Sequence, residues 1–175
     1  MATEDDATKN TASGTLTVTD PDAGQALLQT PSSTQLAGTY GNFTLNPTTG
    51  AWTYTLDNSK PATQALTAGQ QVTDTLTVAS ADSTATKPIV VTVTGVNDTA
   101  TITGPATGDL TEDATITVAS GKLTVADVDT GEAAFATPTT LTGTYGTYTL
   151  NTATCLLYTS PSPRDTERSR MPSSA

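Results

Sequence analysis

Acidic residues recur along this chain at short, regular spacings. Asp20 and Asp22 stand in "DPDAG" and Asp127 and Asp129 in "DVDTG". Glu4 and Asp5 of "TED", Asp57 of "LDNS", Asp82 of "SAD" and Asn97 with Asp98 of "VND" add further side-chain oxygens. Two carboxylates separated by one residue share a side of an extended backbone. Calcium takes roughly six to eight oxygen ligands, which loops supply well. The residue types and their spacing therefore point to calcium. Competing chemistries are poorly supplied: there is no histidine, and the only cysteine is Cys155. Neither a Ser-His-Asp nor a Cys-His arrangement can be assembled, and no disulfide can close within the chain. Paired carboxylates could hydrolyse glycosides, but these acids sit in turns and recur with an internal duplication. That recurrence argues for a structural ion site, and no enzyme is expected. Asp74 and Asp109 read as surface charge.

Seven Lys and Arg against seventeen Asp and Glu give a net charge of −10. Such a field repels nucleic acid and anionic lipid and favours cations. No apolar run approaches the length of about 18 residues needed to cross a bilayer, and "MATEDDATKN" does not read as a signal peptide.

Roughly a quarter of the residues are threonine, and they alternate with apolar side chains. "GTLTVTD" (14–20), "WTYTL" (52–56), "DTLTVAS" (74–80) and "IVVTVTGV" (89–96) all have a period near two. This is the pattern of half-buried antiparallel strands. "DPDAG", "NPTTG", "DNSKP" and "SADST" separate them, and no stretch sustains a helical period. The expected class is all-β, a two-sheet sandwich over 14–96 with Leu16, Val18, Trp52, Leu76, Val78, Val91 and Val93 turned inward.

The chain also repeats itself. "TED" at 3–5 returns at 111–113, "SGTLTVTDPDAG" (13–24) returns as "SGKLTVADVDTG" (120–131), and "GTYGNFTLN" (38–46) returns as "GTYGTYTLN" (143–151). The offsets are 108, 107 and 105, a period that suits one sandwich domain per repeat. The ordered anchors "TED", "SGTLTVTDPDAG", "GTYGNFTLNPTTGAWTYTLDNS", "QALTAGQQVTDTLTVASAD" and "VTVTGVNDTA" resemble the VCBS repeat of very large bacterial surface and secreted proteins. Such repeats are similar to cadherin-like domains, which are Ig-like Greek-key sandwiches strung in tandem. The domains expected are repeat 1 over 1–98 and a truncated second repeat over 99–154. Residues 155–175 form a third segment, which resembles the translation of a transposase-type sequencing adapter. "CLLYTSPSPRD" and the residues after it are therefore expected to be an artefactual tail without stable structure.

The resemblance carries functional expectations. In cadherins calcium lies between successive domains, held by an acid near the domain start, acids in a mid-domain loop, a linker Asn-Asp pair and an Asp-x-Asp in the next domain. Glu4, Asp57, Asn97, Asp98, Asp127 and Asp129 stand in those places. "LDNS" lacks the family's second acid, and Gly95 stands where a linker aspartate is typical. Asp20, Asp22 and Asp82 would belong to an incomplete site at the N-terminal joint. The implied role is a calcium-stiffened spacer in an extracellular, type I-secreted adhesin of the biofilm kind, its partners being neighbouring repeats and cell-surface or matrix carbohydrate or protein. The alternative is a carbohydrate-binding module of a secreted protein. An exposed aromatic row around Trp52 would favour that alternative, and a buried Trp52 the spacer.

Overall fold

The computed structural model describes residues 1–111, 118–138 and 141–161. The chain divides into two compact units. One comprises 1–98 together with 128–130, the other 99–127 together with residues from 131 onward. Strands dominate both, and among the described residues no helix is long and apolar enough to cross a membrane.

The first unit holds strands β1 (Ala2–Thr3), β2 (Thr11–Thr15), β3 (Gly41–Leu45), β4 (Ala51–Leu56), β5 (Gln71–Ala79) and β6 (Thr86–Thr94). Two four-residue helices, α1 (Ser33–Leu36) and α2 (Pro61–Gln64), lie in its connections. One sheet runs β2-β4-β3, entirely antiparallel. The other runs β1-β6-β5, with β5 antiparallel and β1 parallel to β6. The period-two pattern becomes a physical division along each strand. Asp74, Leu76 and Val78 of β5 turn inward, while Thr73, Thr75 and Thr77 face solvent. Threonine suits that outer position, because its β-branch fits the pleat and its hydroxyl stays wet.

Both sheets contribute to one core. Phe43, Tyr54 and Leu56 come from the first sheet, and Leu76, Val78, Ile89, Val91 and Val93 from the second. The Phe43 and Tyr54 rings are paired across strands, tilted, with centroids 4.8 Å apart. Burying side chains of this size stabilises the fold by about 1.5–3 kcal/mol each.

Three expectations shift at the margin of this core. Leu16, Val18 and Trp52 are half-buried and pack against its rim. The first sheet's outer strand lies at Thr11–Thr15, not at 14–20. Its partner β4 begins at Ala51, opposite Thr15, so the chain beyond has little left to pair with. One bond follows, from Leu16 N–H to the Gly50 carbonyl. Trp52 joins no exposed aromatic row, since the large exposed apolar side chains of this unit are Met1, Leu27, Val90, Val96 and Val128.

The second unit holds β7 (Thr101–Thr103), β8 (Ser120–Lys122), β9 (Thr124–Ala126), β10 (Gly146–Asn151) and β11 (Leu156–Pro161). β7 pairs with β9, and β10-β11-β8 forms an antiparallel sheet. That order reproduces β3-β4-β2, and the turn is reproduced with it. Asn46 Oδ1 accepts from the N–H groups of Thr48 and Thr49 (3.0 and 3.1 Å), and Asn151 Oδ1 accepts from those of Ala153 and Thr154 (both 3.0 Å). Gly50 closes the first turn at φ 68°, and Cys155 stands in its place at φ 58°.

The expectation of an unstructured tail over 155–175 is therefore corrected for Leu156–Pro161. The upstream half of the hairpin and its Asn turn are repeat sequence, and "LLYTSP" occupies the place of β4. Residues 162–175 lie outside the described residues.

Candidate functional site

The first unit gathers acids where β1 leaves its sheet. β1 is only two residues long, and Glu4 extends its pairing by donating its N–H to the Thr94 carbonyl (3.0 Å). This places the Glu4 side chain inside, fully buried. Its Oε2 accepts from Val96 N–H (3.1 Å), and Gln64 Nε2 lies 3.4 Å from Oε1. Thr94 keeps its own hydroxyl oxygen buried without a hydrogen-bond partner among the described residues. The chain then turns sharply at Asp5, which has φ 51° and accepts from Asn58 Nδ2 (3.0 Å) and Gln64 Nε2 (3.3 Å).

Asp129 belongs to the same unit, because residues 128–130 dock there. Thr130 N–H donates to the Ala65 carbonyl (3.2 Å), and Asp98 N–H donates to Asp129 Oδ2 (2.9 Å). Asp129 is 2% exposed. Glu4 thus lies near enough to the half-exposed Asp98 and the buried Asp129 to feel their charges. Burial pushes its carboxyl above the ordinary value, the Val96 hydrogen bond opposes that, and the charges of Asp5, Asp98 and Asp129 add to the rise. Two carboxylates and more in low dielectric repel one another and lose hydration.

The other expected ligands fall elsewhere. Asn97 is exposed and directs its side-chain N–H to the Asp98 carbonyl. Asp57 is turned into its own turn, where its Oδ1 accepts from Ser59 Oγ (2.6 Å) and Ser59 N–H (3.0 Å), and these bonds lower its pKa. Asp127 follows β9 and belongs to the second unit. Asp20 Oδ1 accepts from Asp22 N–H (2.8 Å) within "DPD". Asp82 caps the β5–β6 turn through Ser80 Oγ (2.6 Å) and Thr84 Oγ1 (2.7 Å), bonds that bring its carboxyl down to about 2. Among the described residues no group of three or more His, Cys, Asp or Glu side chains is placed to hold a metal ion. Glu112, of the second "TED", lies outside the described residues.

Asp74 overturns its reading as surface charge. It is 4% exposed, and its carboxylate is met on every side by donors. Thr39 N–H donates to Oδ1 (2.8 Å), while Tyr40 N–H (2.9 Å), Gly41 N–H (3.1 Å) and the Tyr54 hydroxyl (2.8 Å) donate to Oδ2. Burial and the adjacent carboxylate push the Tyr54 phenol far above its ordinary value. "GTYG" is therefore a backbone cradle for one carboxylate. A side chain at Gly38 would strike the Asp74 carboxylate, and one at Gly41 would strike the Tyr54 ring and the Thr55 carbonyl. The duplication of "GTYG" was the available signal; its partner, some 35 residues downstream in sequence, gave none.

No protein-family model matches the chain, and a search of curated proteins finds none similar to it.

Proposed function

We propose that this chain is a structural spacer built from Ig/cadherin-like Greek-key repeats, similar to the VCBS repeats of large secreted adhesins, and that calcium stiffens it. The observation that carries the reading is the fully buried Glu4 carboxylate beside Asp98 and the buried Asp129. Among the described residues no basic side chain pairs with Glu4; the one ion pair is Lys9 with Asp6 (3.1 Å). Desolvating a carboxylate costs several kcal/mol unless a counter-charge answers it. All the donors here are hard oxygens, the set that suits calcium and not zinc. Glu4, Asp98 and Asp129 would have to draw together around the ion, since among the described residues no group of three is placed for one, with Asn97 as a further oxygen that the resemblance implies. The chain's charge of −10 supplies a field that draws cations. Trp52, half-buried and packed on the core rim, supports the spacer over a carbohydrate platform.

Extracellular modules bind calcium with dissociation constants of about 0.1–1 mM. Calcium at ten times that value adds about 1.4 kcal/mol to the state that binds it. The test is unfolding of the chain in urea, followed by emission of its one tryptophan, in calcium and in chelator. Calcium should raise the midpoint in the native chain and not in Asp129→Asn. Equal midpoints in calcium and chelator sink the reading.

A further inference from the structure

The contacts of α2 join two places in the first unit that the sequence keeps apart. α2 is a single turn, Pro61–Gln64, and its N-cap Lys60 makes no side-chain cap bond. A helix so short has no stability of its own, because fixing the first turn costs more than its bonds supply. Contacts outside the helix therefore hold it, and they fall at its two ends. At the first end, Lys60 Nζ donates to the carbonyls of Gly38 (2.6 Å) and Gly41 (3.2 Å). The fully buried Thr63 donates its hydroxyl to the Tyr40 carbonyl (3.1 Å). These carbonyls belong to the loop whose amides grip Asp74, so the loop is clamped between an ammonium and a carboxylate. At the other end, Gln64 Nε2 lies 3.3 Å from Asp5 Oδ1, and the Ala65 carbonyl accepts from Thr130 N–H (3.2 Å). Thr130 comes from 128–130, a strap that packs within this unit although the rest of the unit ends at 98.

We propose that α2 is a cooperative strut that transmits the seating of the 128–130 strap to the "GTYG" cradle. With the strap seated, the turn is wound and Lys60 and Thr63 hold the 38–41 loop against Asp74. With the strap released, the turn frays and the loop opens. One turn has too few internal bonds to stay wound on half of its external support, so its two ends form and melt together. The strap is itself held twice, by Thr130 N–H to Ala65 and by Asp129 to Asp98 N–H. Linkage makes the effect reciprocal: whatever loosens the cradle also loosens the strap, by the same factor. This inference needs no ion, stands apart from the calcium reading and survives its failure.

The test is amide hydrogen exchange of the intact chain in chelator, read residue by residue. Thr130→Pro removes the strap's N–H and should speed exchange of the Gly41 amide about tenfold. Asp129→Asn weakens the strap's other bond and should act in the same direction, which keeps the test available if the proline variant does not fold. Lys60→Met keeps the stem and removes the ammonium; it should speed exchange of the Thr130 amide by a similar factor. The β5–β6 ladder reports global opening and should change less than either amide. Strap variants that leave Gly41 unchanged, Lys60→Met that leaves Thr130 unchanged, or effects no larger than those in the ladder each overturn the proposal.

Discussion

Replacing Asp74 with alanine removes the acceptor of four donors at once. Two of them, Gly41 N–H and the Tyr54 hydroxyl, are buried, while the amides of Thr39 and Tyr40 are partly so. Each buried donor left unsatisfied costs about 1–3 kcal/mol, and the half-exposed pair can find water. The expected loss is therefore about 4 kcal/mol, set mainly by the two dry donors. A domain of this size has about 5–15 kcal/mol in total, so the variant should remain folded but much weakened. Asp74→Asn keeps one acceptor oxygen and sets an N–H against the remaining donors; it should cost about 2–3 kcal/mol. Tyr54→Phe removes one donor and leaves the carboxylate its three amides, for about 1 kcal/mol. Trp52 lies in β4 beside this network and is the only tryptophan, so its emission during urea unfolding reports on this unit. With a slope of about 2 kcal/mol per M, Asp74→Ala should lower the midpoint by about 2 M. Adding Tyr54→Phe to Asp74→Ala should cost little more, because the hydroxyl has already lost its partner. If both Asp74 variants lose less than about 1 kcal/mol, the cradle is incidental to stability and the account of "GTYG" is wrong.

Glu4→Gln should behave in the opposite sense. Burial raises the Glu4 pKa, so the ionised group opposes folding above its folded-state pKa, and that penalty vanishes on acidification below the unfolded value. In chelator at neutral pH the variant should be at least as stable as the native chain while losing its response to calcium; a clear loss of stability in chelator would refute this. Asp82, brought down to about 2 by Ser80 and Thr84, contributes stability that is present above the unfolded carboxyl range and lost as pH falls through about 2. Acid titration should show that loss in the native chain and not in Asp82→Asn. Gly50→Ala forces a side chain into the left-handed region and against the Leu16 carbonyl, and should cost more than about 1 kcal/mol in the same urea assay. Cys155→Gly relieves the same backbone in the second unit and should increase amide protection across β10 and β11, measured by hydrogen exchange; unchanged protection would remove strain at Cys155 from the account.

The sequence by itself determined what is local and periodic. Alternation of threonine with Leu, Val and Ile specified β4, β5 and β6 and which side of each faces inward, because a strand's side chains obey a period of two whatever lies beyond it. The duplication likewise foretold that β10 would follow "GTYG" as β3 does. Tertiary structure decided what depends on partners far along the chain. Asp74 looks like any strand acid until β5 is laid against the 38–41 loop, where three amides and a phenol turn it from surface charge into a buried anchor. Asp57 stands where the resemblance implies a ligand, yet its Oδ1 is turned to Ser59, two residues away. Leu156–Pro161 reads as foreign, but a strand can form wherever it finds edges to pair with, and β8 and β10 provide one on each side. Glu4 shares the acidity of its neighbours Asp5 and Asp6; only the parallel pairing of β1 with β6 decides that it alone is fully buried. Charge and spacing are written in the chain, whereas desolvation, which gives a carboxylate its energetic weight, exists only once the sheets have closed.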